Sequence, residues 1–221
     1  MRGQELLETL KRESRVGRPV AAMLRHAARH AIADPTQPHL AELTPAGRAH
    51  AEEFGAELRG YERVRLFHSP VVRCRDTAEC IACGAEQAGL EVEIVGPRPE
   101  LGIDYIRDLK EAARLTGLHH DHFVRLWFDG AVPASVVDPI PHLAELKLGF
   151  VRSRLLELDG RSGVLDLHVS HDWNILALRE HCCGVRHEEA GWLDFLDGIA
   201  FRALSRGMRA VYRDEAREIV N

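Results

Sequence analysis

Short apolar runs that stop abruptly at basic residues recur along this chain, and they constrain its fold more than any other feature. The first is Val20-Ala21-Ala22-Met23-Leu24, which ends at Arg25-His26 and is followed by Arg29 and His30. An apolar run of that length between polar residues reads as a buried strand. A second strand is expected at Arg63 to His68, before Ser69-Pro70 and Arg73, and a later one, Gly163 to Val169, alternates and ends at Ser170-His171-Asp172. Each strand therefore delivers a basic group at its carboxyl end.

Helical patterns separate these strands. Residues 4–14 place Leu6, Leu7 and Leu10 on one face, and Gly17 and Pro19 end that helix. Pro35 and Pro38 make 31–43 a loop. Thr44-Pro45 supplies a capping hydroxyl and a first-position proline, and Gly47, Ala51, Phe54 and Leu58 form a narrow inward stripe. Ser69-Pro70 repeats the same start, with Cys74, Ala78, Ile81, Ala85 and Ala88 as the buried stripe and Arg73 off it in the first turn. Glu91 to Val95 adds a strand, and the order β-α-β-α-β implies a parallel sheet with right-handed crossovers.

The rhythm breaks over 97–141, which holds the cluster His119-His120-Asp121-His122 and the apolar group Phe123, Leu126, Trp127 and Phe128. An insertion here acts most simply as a lid or specificity wall over the strand ends, with Phe123, Trp127 and Phe128 as its own core. Residues 142–158 read as helical, and so does about Trp173 to Cys182. Ile199–Leu204 and Met208–Tyr212 flank Ser205-Arg206-Gly207 as a hairpin, and the charged tail from Arg213 to Asn221 suits a helix. The fold expected is α/β, a three-layer, mostly parallel sheet flanked by helices, with a helical insertion and a C-terminal β-hairpin. No linker divides the 221 residues, so 1–221 is expected to be a single domain.

Several functions are disfavoured by composition. A net charge of −5 gives nucleic-acid binding no global support. No apolar run approaches membrane-spanning length, and Met1 to Arg18 has no signal-peptide core. Cys80-x-x-Cys83 lies in an apolar helical pattern without a partner pair, so a buried structural role is expected. The five cysteines read as reduced thiols of a cytoplasmic protein. His26-x-x-x-His30 and the His119–His122 cluster have metal-ligand residues. However, His26 falls at a strand end, and adjacent ligands in one short segment rarely converge. No metal is expected, and the cluster reads as a solvated part of the lid.

Ligands of open α/β sheets bind beyond the carboxyl ends of the strands. There Arg offers a permanent charge and a planar fork that matches phosphate oxygens, and a neutral His can attack phosphorus. The alternative for Arg25-His26 alone is a strand ending in solvated basic residues. Arg73 argues against it, because the first turn of a helix is a poor place for a cation without an anionic partner.

Four segments, taken in order, resemble the histidine phosphatase superfamily. They are Leu24-Arg25-His26-Ala27-Ala28-Arg29, Leu43-Thr44-Pro45-x-Gly47, Ser69-Pro70-x-x-Arg73-Cys74-x-x-Thr77-Ala78, and Val169-Ser170-His171-Asp172. The His-Asp pair and closing hairpin look like its acid-phosphatase branch, and the compact length like its phosphoglycerate-mutase branch. The resemblance implies a phosphoglycerate mutase-like fold and a phosphatase that hydrolyses a phosphomonoester through a phosphohistidine on His26. Arg25, Arg29, Arg73 and His171 would hold the phosphoryl oxygens. Asp172 would be the proton donor, with Glu100 of Pro99-Glu100-Leu101-Gly102 as the alternative. Three arginines can neutralise the phosphoryl charge, so neither a metal nor another cofactor is implied, and the partner is a small phosphorylated substrate. Alternative activities are a phosphomutase of the same fold and a catalytically weak phospho-ligand binding protein. Two departures stand out. Ala27 replaces the usual glycine after the histidine, and His30-Ala31 stands where a proline often follows the second arginine.

Overall fold

The structure is a computed structural model and describes residues 3–120, 122–158 and 161–220. Its helices and strands are, in order, α1 (Gln4–Ser14), β1 (Val20–Arg25), α2 (Pro45–Ala56), β2 (Arg63–His68), α3 (Val72–Gln87) and β3 (Glu91–Pro97). Then come α4 (Leu109–His119), α5 (His122–Phe128), α6 (Ile140–Glu157), β4 (Val164–Ser170), α7 (Asp172–Cys183) and α8 (His187–Ala190). The chain closes with β5 (Gly198–Ala203), β6 (Met208–Tyr212) and β7 (Glu215–Ile219).

All seven strands join one sheet in the order β3-β2-β4-β1-β5-β6-β7. The first four elements of that order run parallel, and β5, β6 and β7 add antiparallel. Side chains alternate across a strand, so successive residues of β1 enter different layers. Val20, Ala22 and Leu24 meet α1, α2 and α3, whereas Ala21 and Met23 meet α6 and α7. The result is the mixed α/β, three-layer fold expected from the sequence. Centrality explains the alternating polar residues of β4, which do not face solvent. Asp166 is buried against Arg65, and His168 is buried between Phe67 and Phe150.

Local chemistry sets the helix starts. Thr44 Oγ1 accepts from Gly47 N at 2.9 Å with Pro45 next in line, as the cap-then-proline pattern predicts. Asp108 caps α4 by accepting from the amides of Lys110 and Glu111, each at 3.0 Å. Helices α2 and α3 pack backbone to backbone, and a Cβ on Gly84 would lie 1.9 Å from the Glu52 carbonyl oxygen. The insertion forms its own apolar cluster from Tyr105, Phe123, Trp127 and Val137, seated on Leu143 of α6 and Ala177 of α7.

Four expectations need correction. Helix α3 begins at Val72, not at Ser69-Pro70, and its cap residue Val71 accepts no bond through its side chain. Ala88 is exposed, because α3 ends before it. Cys83 is exposed and Cys80 only half-buried, because they flank the stripe of Cys74, Ala78, Ile81 and Ala85 instead of joining it; all five thiols are free. The tail is a strand, not a helix: β7 pairs with β6 from Met208↔Ile219 to Tyr212↔Glu215. Its charged, exposed side chains suit a sheet edge and hide the two-residue period. His120 and His122 are exposed as expected of a solvated cluster, while Asp121 and Asn221 lie outside the described residues.

Candidate active site

The carboxyl ends of β1 and β4 lie side by side, with Arg25 paired to Ser170. His26 N donates to the Ser170 carbonyl at 3.0 Å, and Arg25 N donates to that of Asp197 at 2.9 Å. These bonds carry the register of the sheet one residue beyond β1. Ala27 N then donates to Thr77 Oγ1 at 3.0 Å, and Thr77 Oγ1 donates to the Arg73 carbonyl at 2.7 Å. The His26 loop is thus fastened to the turn of α3 that carries Arg73. On its other side Thr44 N donates to the Ala28 carbonyl. A Cβ on Gly47 would lie 2.1 Å from that same oxygen, so glycine is needed for α2 to approach the loop.

Ala27 needs no glycine-like backbone. Among the described residues only His120, Leu196 and Arg213 are non-glycine residues with positive φ. The Ala27 methyl is buried in the layer under α2 and α3, which accommodates the departure from Arg-His-Gly.

His26 is buried, and its Nδ1 lies 2.8 Å from its neighbour's carbonyl, that of Ala27. A carbonyl only accepts, so Nδ1 carries the proton and Nε2 holds the lone pair. Burial, reinforced by the Arg73 charge, pushes the imidazole down to about 3, so it is neutral at ordinary pH. The His171 ring stands 5.7 Å away, edge-on, and Phe195 packs at 5.8 Å.

A cavity of about 300 Å³ opens over this point, lined at one end by His26, Arg29, Arg73, His171 and Asp172. Arg73 is buried, donates through Nη1 to the Pro38 carbonyl at 2.6 Å, and leaves Nε unpartnered. Arg29 is half-buried and donates to its neighbour's carbonyl, that of His30. Burial lowers both guanidinium groups from the ordinary arginine value, and the Arg73 charge further lowers Arg29. Two cations that have lost water beside each other make a site that an anion would stabilise.

Asp172 opens α7. Its carboxylate accepts from Arg25 Nη2 at 2.9 Å, Trp173 N at 3.0 Å and Trp192 Nε1 at 3.2 Å. Burial alone would raise this carboxyl, but Arg25 and these bonds hold it below the ordinary range. Counting Arg25, Arg29 and Arg73 against Asp172, with both histidines neutral, leaves an excess of two positive charges.

The structure brings His26, Arg29, Arg73, His171 and Asp172 together around one cavity, but not all of them in the expected posture. Arg25 does not line it. Its guanidinium is spent on Asp172 and the Leu193 carbonyl and stacks 4.1 Å from the Phe195 ring centre. Glu100 is exposed and lines a different cleft, beside Arg98, His142 and Glu145. His171 has both ring nitrogens engaged, one with Arg73 and one with Ser69 Oγ at 2.9 Å. Six contributors escape sequence reading. Ser69 looks like a helix cap but bonds His171 and marks the start of a turn. Trp192 and Phe195 lie in a stretch with no periodic signal. Tyr105, Ile103 and Leu109 line the cavity from the insertion.

Among the described residues the one group with metal-ligand geometry is Glu180, His187 and Glu188, none of which lines this cavity. Arg125 already bridges both of its carboxylates, so charge there is compensated without an ion.

A model of the histidine phosphatase superfamily (branch 1) matches residues 22–98, the segment that holds His26, Arg29 and Arg73. No curated protein sequence matches the chain. Solved structures match its fold over most of their length. A protein described as mycobacterial hydrolase 2 is 19% identical with a TM-score of 0.60, covering 90% of this chain and 92% of its own. The mycobacterial glucosyl-3-phosphoglycerate phosphatase bound to inorganic phosphate is 17% identical with a TM-score of 0.58, covering 88% and 96%. A phosphoglycerate mutase from Bacillus anthracis str. Sterne is 16% identical with a TM-score of 0.54, covering 94% and 95%. Identities this low speak for the fold, which is phosphoglycerate mutase-like. No helix among the described residues is long and apolar enough to cross a membrane.

Proposed function

From a chain that carries the histidine phosphatase signature on a phosphoglycerate mutase-like fold, we propose a phosphoric monoester hydrolase acting through a phosphohistidine on His26. The observation that carries this reading is the fixed tautomer of His26. Its Nδ1 proton is tied to the Ala27 carbonyl, so an unprotonated Nε2 is left beside Arg29 and Arg73 without any base to activate it. In the first step Nε2 attacks phosphorus and the bond to the ester oxygen breaks. The excess positive charge of the site offsets the charge on the transferring phosphoryl oxygens. Asp172 protonates the departing oxygen, and a phosphoryl group nearby raises its carboxyl toward the protonated form. In the second step water attacks phosphorus and gives a proton to Asp172, the bond between phosphorus and His26 Nε2 breaks with its electron pair returning to Nε2, and phosphate leaves.

Hydrolysis is favoured over a mutase reaction by the walls of the cavity. Beyond the phosphate end its lining carries no further cation to hold a second anionic group. Phosphate release from p-nitrophenyl phosphate, insensitive to EDTA and lost in His26→Ala, is the expected result. Turnover retained by that variant would remove His26 from the chemistry.

A further inference from the structure

We propose that the monoester accepted here is that of an apolar alcohol or phenol, not of a sugar or a hydroxy acid, an inference that rests on reading the cavity as a phosphomonoesterase site. The argument comes from the part of the cavity that the phosphoryl group does not fill. Its walls are Ile32 and Pro35 from the loop after β1, and Ile103, Ile106, Leu109 and Ala113 from the insertion. None of these six offers a side-chain hydrogen bond. The remaining lining residues with polar atoms are Tyr105, Thr116 and Trp173. Thr116 has no hydroxyl proton to give, because its Oγ1 donates back to the Ala112 carbonyl at 2.8 Å. Burial raises the Tyr105 phenol well above its ordinary value, so it contributes no charge.

A sugar phosphate or a phosphorylated acid brings several hydroxyls or a carboxylate into this space. Each would lose water against hydrocarbon with at most the Tyr105 and Trp173 side chains and the acceptor side of the Thr116 hydroxyl in exchange. An alkyl or aryl group instead gives up water without needing a partner. The volume of about 300 Å³ is at the small end of ligand pockets, room for one ring system or a short chain. Specificity of this kind works by increments, about fourfold per methylene that is fully buried.

Alkylphosphonates test this without requiring turnover, because their carbon–phosphorus bond is not an ester. Calorimetric titration of the full chain with methyl-, butyl- and hexylphosphonate and with 3-phosphoglycerate is the experiment. The expected result is affinity that rises by at least about tenfold from methyl to hexyl, with 3-phosphoglycerate weaker than hexylphosphonate. Ala113→Asp places a carboxylate on the half-buried face of α4 and should collapse the hexyl-to-methyl ratio toward one. Equal affinities along the series, tighter binding of 3-phosphoglycerate, or an unchanged ratio in Ala113→Asp would each overturn the proposal. Phosphate release from hexyl phosphate, followed in parallel, separates the two readings. A steep affinity series without turnover removes the hydrolase and keeps the apolar ligand. Turnover with a flat series does the reverse.

Discussion

Arg73 Nη2 lies 3.0 Å from His171 Nδ1, so two groups expected to grip a phosphoryl oxygen side by side also hold each other. Arginine has no acceptor, and Nδ1 must therefore be the acceptor, which puts the imidazole proton on Nε2 facing Ser69. Burial, followed by the Arg73 charge, keeps His171 well below its ordinary value. As a neutral acceptor it orients Arg73 and adds no charge.

His171→Ala should then act through Arg73. A guanidinium released from its place misaligns the phosphoryl clamp, and losses of about 100-fold in kcat/KM are typical of such misplacement. Inorganic phosphate should inhibit the variant less well than the parent. Ser69→Ala removes only the outer contact, and its loss should be smaller. Phosphate release kinetics on both variants check the order.

Asp172 and Glu100 are the two candidate proton donors, and geometry separates them. Asp172→Asn should lower kcat/KM, which reports the first step, by about 10²–10⁴-fold for an alkyl phosphate. The drop should be much smaller with p-nitrophenyl phosphate, whose leaving group needs little protonation. Glu100→Gln, in a separate exposed cleft, should leave both substrates unaffected.

His168 predicts a pH dependence of stability that has nothing to do with activity. Both of its ring nitrogens lack partners, and burial together with Arg154 and Arg65 pushes it down to about 3. Between the ordinary value and that one, the unfolded chain binds a proton that the folded chain does not. Stability from this group is therefore full at neutral pH and is lost as pH falls below about 6.5. One such group costs about 2 kcal/mol at pH 5. His168→Leu should gain that much on the parent at pH 5 compared with pH 7.5, measured by urea denaturation.

Gly47→Ala tests the seating of α2 on the His26 loop. Its methyl would lie 2.1 Å from the Ala28 carbonyl oxygen, which also accepts from Thr44 N. Helix or loop must move, at a cost of about 1–3 kcal/mol. Urea denaturation should show that cost, and turnover per folded molecule should fall because the displaced loop carries His26.

Much of this arrangement is legible in the residues themselves. Thr44-Pro45 announces α2 because capping is local, and the run at 20–24 announces β1 because burial on both faces leaves only apolar choices. His26, Arg29, Arg73, His171 and Asp172 can be read because strand ends converge whatever the loops do. Failures come where tertiary contact overrides local pattern. Ser69 has the sequence of a cap, but its hydroxyl is taken by His171, a residue far along the chain. Arg25 has the place of a phosphate ligand, yet Asp172 and Leu193 claim it. Trp192 reaches Asp172 from a stretch without periodicity. Glu215–Ile219 reads as a solvated tail because an edge strand shows water both of its faces.

Trapping the covalent intermediate tests the central claim most directly. The full chain is mixed with a phosphomonoester, quenched under alkaline conditions that preserve phosphohistidine, digested, and analysed by mass spectrometry. The account predicts one phosphoryl group on the peptide containing His26, acid-labile and absent from His26→Ala. Turnover with no phosphoryl group on His26, or with one on another residue, would contradict it.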